Sequence, residues 1–317
     1  MEFCPADGKY CLTSGQDRTI RLWNPVRRDP ATSLYAKKSS PPSIPHALPI
    51  QVYRDGHTHP ISAISVDDKS TTIVSSSEKT LVVTDAISKK LKRRFHGHTG
   101  RINAVECSSG AETFLSGSYD GTVRIWDGRS WSNDPIQILS DAKDSVSSLK
   151  VIQTDTLSEI ITASIDGTIR TYDLRKGMLR CDDFGSQAAV TSLALTSDNL
   201  CLAAASLDGN IHVLERSTGQ IMQSISSTPQ KSDRKYAIHC DISADNFYML
   251  YGSEKGDATL FDLVGGTQQQ TLHGHNRPTC SVACHPQKDL TSIVLTASYD
   301  GRGIVWANPK DIAKWET

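Results

Sequence analysis

No run of apolar residues in this chain approaches the roughly 20 that a membrane-crossing helix requires, so a helical membrane span is excluded. Net charge is nearly absent too. The 34 Lys and Arg residues are balanced by 35 Asp and Glu, leaving −1 at neutral pH. Without a domain-wide basic excess, the chain lacks the electrostatic footprint of a nucleic-acid binder. Nor do its few aromatics, 6% of the residues, form an evident stacking platform for single strands, which leaves direct RNA binding with little support. The opening MEFCPADGKY has neither the basic nor the apolar region of a secretory signal. Eight cysteines, at 4, 11, 107, 181, 201, 240, 280 and 284, sit singly in strand-like stretches. That is no disulfide framework, and it suits a reducing cytosol or nucleus.

Catalytic signatures are missing as well. There is no G-x-S-x-G elbow, no H-E-x-x-H, and no glycine loop ending in Gly-Lys-Ser/Thr. The pairs His57-x-His59, His96-x-His98 and His273-x-His275 invite a metal reading, but each straddles the same place in a repeat. Cys280 and Cys284, with His285 next, resemble a zinc set. Strand residues four apart lie ~13 Å from each other, too far to share one ion at bond lengths near 2.3 Å. No metal, cofactor or catalytic residue is expected.

What the chain does have is a repeat. Ser116–Asp127, SGSYDGTVRIWD, reads as a hairpin turning at Tyr119-Asp120-Gly121, because Asp-Gly between strand-type residues is a strong hairpin signal. Aligned on Trp126, seven copies place Trp23, Thr84, Trp126, Tyr172, Leu214, Phe261 and Trp306 at one position. Five of the six intervals run 42 to 47 residues and the first runs 61. Gly-His recurs upstream at Gly56-His57, Gly97-His98 and Gly274-His275.

Gly-His early and Trp-Asp late in a period of ~40–45 residues resembles the WD-repeat family of β-propellers. The resemblance covers nearly the whole chain and implies an all-β, seven-bladed propeller over 1–306, followed by a tail at 307–317. Four short strands per repeat cannot bury both faces alone, so neighbouring sheets must stack radially. The resemblance further implies hydrogen-bonded tetrads joining His98, Ser116, Asp120 and Trp126, and His275, Thr296, Asp300 and Trp306. His, Ser and Asp are also the residue types of a hydrolase triad. Their recurrence with a tryptophan at repeat spacing favours a structural role.

Two irregularities stand out. Met1-Glu2-Phe3 reads as the end of an inner strand, so the first blade and ring closure are expected to be truncated, with the start falling about 20–25 residues late given that period. Residues 24–54 form a Pro-rich insertion in the connection from blade one to blade two, holding six of the thirteen prolines. Lys89–Arg94 carries five basic residues in six. It reads either as a charge-protected edge strand or as a nuclear import signal.

Function is then expected on the rims. Arg101, Tyr119 and Tyr299 lie on the Gly-His face and are of the types that anchor interfaces. On the opposite face, Trp126-Asp127-Gly128-Arg129 and Tyr172-Asp173-Leu174-Arg175 resemble the tandem boxes of propellers that serve cullin-based ubiquitin ligases. Arg129 and Arg175 would then contact a ligase adaptor; the alternative is a local Asp–Arg contact. The stretches 7–25, 139–151, 164–179 and 239–256 resemble a group of scaffold propellers within the family. That implies kinase-cascade components or spliceosomal proteins as partners, and a cytoplasmic and nuclear location. Ser40-Pro41 and Thr228-Pro229 fit proline-directed phosphorylation.

Overall fold

A computed structural model describes residues 1–6, 8–28, 47–108, 112–153, 158–174, 176–183, 188–227 and 236–315. Seven antiparallel sheets among these residues follow one another in chain order, six of four strands and the last of three. Blade three is typical. Ile102–Cys107, Thr113–Ser118, Val123–Asp127 and Gln137–Leu139 pair in sequence from the channel outward. Alternation sets the faces of each strand, so Val123 and Ile125 are buried while Arg124 between them is less so.

A blade presents two apolar faces, and each is covered by a neighbour. Seven core clusters result, one for each seam. Inner strands neighbour each other in order around the ring, and Thr279–Cys284 of blade seven meets Glu2–Phe3 of blade one. Four inner strands also carry a bulged residue whose side chain reaches the next blade. Ser62 donates to the Ile102 carbonyl at 2.6 Å, and Asn103 to that of Val146 at 3.1 Å. Ser147 donates to Val190 at 2.6 Å and Thr191 to Ile238 at 3.1 Å. Bulges re-aim side chains out of the ladder, and here they tie consecutive blades around the channel.

Blade one contains all four strands: Glu2–Phe3, Cys11–Ser14, Ile20–Arg28 and Ala47–Tyr53. Its inner strand pairs through only Glu2 with Leu12 and Phe3 with Cys11, so the expected truncation does not remove a strand. The strands on either side of residues 29–46, Ile20–Arg28 and Ala47–Tyr53, both belong to this blade. Pro49 and Tyr53 pair back onto Trp23 and Ile20, because a strand that resumes beside its own sheet satisfies an otherwise open edge. Residues 29–46, with Ser40-Pro41, lie outside the described residues, as do Thr228 and Pro229.

Closure of the ring rests on packing. Blade seven has three strands among the described residues, Thr279–Cys284, Val294–Ser298 and Gly303–Trp306. The tail that follows contains a helix, Pro309–Trp315. Trp315 is buried with Phe3, Cys11 and Leu295 in the seam between blades seven and one. Its indole N–H donates to the Gly8 carbonyl at 3.2 Å, and its ring meets the His285 ring edge-on at 5.7 Å. Gly8 has φ +65°, and a β-carbon there would collide with the His285 imidazole, so glycine is needed on both counts. Trp315→Ala is expected to cost ~3–5 kcal/mol, the range for truncating a buried large aromatic. Chemical denaturation measures this, and an unchanged midpoint would remove Trp315 from the account of closure.

Candidate partner-binding faces

Each blade places its hairpin turn and its incoming loop on one rim. In blade three the two are fastened by a chain of hydrogen bonds. The Trp126 indole N–H donates to Ser116 Oγ at 2.8 Å, and the Ser116 hydroxyl pairs with His98 Nε2 at 2.8 Å. His98 Nδ1 meets Asp120 Oδ2 at 2.9 Å. Asp120 also accepts from the Thr99 and Thr122 amides and the Thr122 hydroxyl. Burial raises the cost of its charge. The bonds from Thr122, His98 and Thr99 outweigh that and hold the carboxyl well below the usual range. Blade seven repeats the arrangement, with His275 at 2.9 Å from Thr296 and 3.1 Å from Asp300, and Trp306 donating to Thr296 at 2.9 Å.

Elsewhere the fastening is improvised. Blade one keeps Trp23 donating to Thr13 at 2.8 Å. Blade four replaces histidine with a buried ion pair, Arg170 to Asp166 at 2.8 Å, and the Lys143 amide also donates to Asp166. In blade two both nitrogens of His57 bond serines, Ser77 at 2.8 Å and Ser75 at 2.7 Å. The paired histidines diverge from their partners. His59 lies near Glu78 at 3.7 Å, His96 near Thr80, and His273 against Asp257 at 2.7 Å.

The fastened turns display side chains on the rim. Tyr119 is 66% exposed and Tyr299 47%. Arg101 is exposed as well, and its carbonyl accepts from the Tyr119 amide and the Ser118 hydroxyl. Tyr236, which the repeat pattern did not single out, joins this face. Its ring lies 5.4 Å from that of Tyr299. It follows a stretch without Gly-His, so no repeat position marked it.

The opposite rim carries Arg129, whose exposed guanidinium pairs with Glu112 at 3.2 Å and approaches Asp127 at 3.8 Å. Arg175 lies outside the described residues. Two positions beyond Arg129, Trp131 is 97% exposed. A lone tryptophan among serines was the available signal. The basic run is largely occupied. Lys92 pairs with Asp85 at 3.1 Å, and Arg94 donates to the carbonyls of Asp55 and Gly56. Arg93 binds the Ser130 and Ser132 carbonyls and lies over the Phe95 ring at 4.9 Å. The strand Leu91–His96 is thus an outer strand clamped to its neighbours. Among the described residues, no helix is long and apolar enough to cross a membrane.

This architecture is that of a WD-repeat propeller, and the WD domain, G-beta repeat profile matches residues 4–24, 48–85, 89–127, 133–173, 180–214 and 266–307. The chain belongs to that family. Within it, the chain is 27% identical to the WD repeat domain-containing protein 83 homolog of Dictyostelium discoideum, over 95% of this chain and 92% of that protein. It is 32% identical to WD repeat domain-containing protein 83 of Homo sapiens, over 88% of this chain and 80% of that protein. Autophagy-related protein 16 of Arabidopsis thaliana is 24% identical over 92% of this chain and 50% of its own length. The first two belong to the mitogen-activated protein kinase organizer group.

Asp120→Ala leaves buried donors unpaired and is expected to cost ~1–3 kcal/mol; a wild-type melting temperature would refute its fastening role. Acid should loosen blade two. Burial, with Arg94 nearby, holds the His57 pKa down at about 4 against an ordinary 6.5. The unfolded chain binds the proton more readily, so this contribution is complete above 6.5 and is lost as pH falls toward 4. His57→Gln should flatten the fall in melting temperature over that interval; an equal fall in both proteins would exclude His57 as its source.

Proposed function

We propose that this protein is a non-catalytic interaction scaffold that organises kinase-cascade components, with spliceosomal proteins as a second class of partner. Its relation to WD repeat domain-containing protein 83 over most of both chains carries the reading. The rim supports it physically. Arg101, Tyr119, Tyr236 and Tyr299 put arginine and tyrosine at exposed positions held by the fastened hairpins, and such residues dominate binding energy at interfaces. The His98-Ser116-Asp120 and His275-Thr296-Asp300 sets do not favour hydrolysis, since each is consumed in holding an indole. The proposed location is cytoplasmic and nuclear. Of the basic run, Lys89 and Lys90 are the exposed residues left unclamped for import.

The ubiquitin-ligase reading through Arg129 and Arg175 gains less. Arg129 is engaged by Glu112 and Asp127 on its own blade, which fits the local Asp–Arg contact.

Affinity purification of the tagged chain with mass spectrometry tests the proposal. Kinase-cascade or splicing proteins should be recovered, and a Tyr119→Ala, Tyr299→Ala double variant of unchanged stability should recover them about tenfold less well. Recovery of a ligase adaptor instead, lost on Arg129→Ala with Arg175→Ala, would overturn it.

A further inference from the structure

Blade two lacks the tryptophan that its neighbours use to fill a seam, yet it keeps the surroundings of that tryptophan. In blade three, Trp126 pairs across to Phe114 and leaves its blade to pack on blade two, with its ring 5.2 Å from that of Phe95. Gly97 admits the ring edge, since a β-carbon there would stand 3.2 Å from Trp126 Cη2. Gly274 does the same for Trp306, at 2.9 Å. Thr84 holds the corresponding place in blade two, opposite Ile73. Gly56 holds the place of Gly97, but a β-carbon on it would meet nothing nearer than Val82 Cγ1 at 3.5 Å. The counterpart of Phe95 is Tyr53, the last outer-strand residue of blade one, with its hydroxyl donated to the Ala86 carbonyl at 2.9 Å.

A cavity of about 160 Å³ marks the difference, lined by Ile20, Tyr53, Gly56, His57, Thr84 and Leu91 among others. An apolar protein cavity of about 150 Å³ takes benzene; this one has the volume for a ring, and the Gln51, Arg54, Asp55 and Lys89 on its wall suit a ring that carries an N–H. The cavity reaches the outer strands of both blades, where Leu91 is 42% exposed. His57, with both its nitrogens bonded to serines, lines the cavity at the repeat position from which His98 lies 6.3 Å from the Trp126 ring.

The geometry points to a binding slot between blades one and two that takes the tryptophan side chain of a partner polypeptide, supplied in trans where the other seams supply it in cis. Tryptophan is the best match, because indoles occupy the equivalent place in blades one, three and seven. The inference rests on the scaffold reading for the source of the side chain, but its test needs no partner identified.

The full-length protein is titrated with N-acetyl-L-tryptophanamide and with the peptide acetyl-Gly-Ser-Trp-Ser-Gly-amide, followed by ligand-observed NMR. Saturable binding of both is expected, with the peptide at least as tight as the amide. Thr84→Trp fills the slot from within, and Leu91→Arg places a charge at its mouth; each should weaken binding about tenfold or more. Leu91→Arg alters an exposed residue, so it decides the matter even where Thr84→Trp fails to fold. Absence of binding, binding unchanged in the variants, or binding of the amide with exclusion of the peptide each overturns the slot. Partners recovered by affinity purification without any ring binding would overturn the slot alone and leave the scaffold standing.

Discussion

The seam between neighbouring blades is the constraint on which this structure depends. A four-stranded sheet has two faces, and neither is covered until the next sheet arrives. Each seam therefore needs a large side chain reaching across, and Trp126 shows how one is held. Its ring lies on Phe95 of the preceding blade, while its N–H is fixed by Ser116, His98 and Asp120. The tetrad is thus a device for orienting an indole whose contacts are mostly with another sheet. Where the indole is lost, the seam is filled by Tyr172, Leu214 or Phe261, all buried. At Thr84 it is left partly open.

Ring closure obeys the same constraint with different means. Blade seven adds no fourth strand among the described residues, so the last seam relies on Phe3, Leu295 and Trp315. The bulge side chains Ser62, Asn103, Ser147 and Thr191 bind successive inner strands around the channel. Blade four shows that the rim fastening tolerates new chemistry. Arg170 and Asp166 are nearly withdrawn from water. Such a pair is costly to break, because removing one partner strands the other charge in the interior.

Function separates from this framework by position. Residues facing the seams are committed to closure, whereas Tyr119, Tyr236, Tyr299 and Arg101 stand on the rim with free surface. The relation to WD repeat domain-containing protein 83 concerns the whole propeller.

Much of this was legible in the order of residues. Seven copies and the blade count follow from Gly-His, Asp-Gly and Trp recurring at one period, since local turn chemistry and strand alternation are properties of short segments, whereas the membership of both tetrads was what the resemblance to the WD-repeat family implied. The tail was different. Nothing adjacent to Trp315 announces that it will meet Phe3 and His285, because that contact joins opposite ends of the chain and forms only when the ring closes. The clamping of Arg93 and Arg94 is likewise non-local, since Ser130, Ser132, Asp55 and Gly56 lie 37 to 39 residues away, and a charge count reads the two arginines as an exposed patch. Thr84 sums up the division. The sequence determined that the aromatic is missing from blade two. Only the tertiary structure decided that Gly56, His57 and Tyr53 stay in place around a vacancy, because a seam's volume is set by two sheets at once.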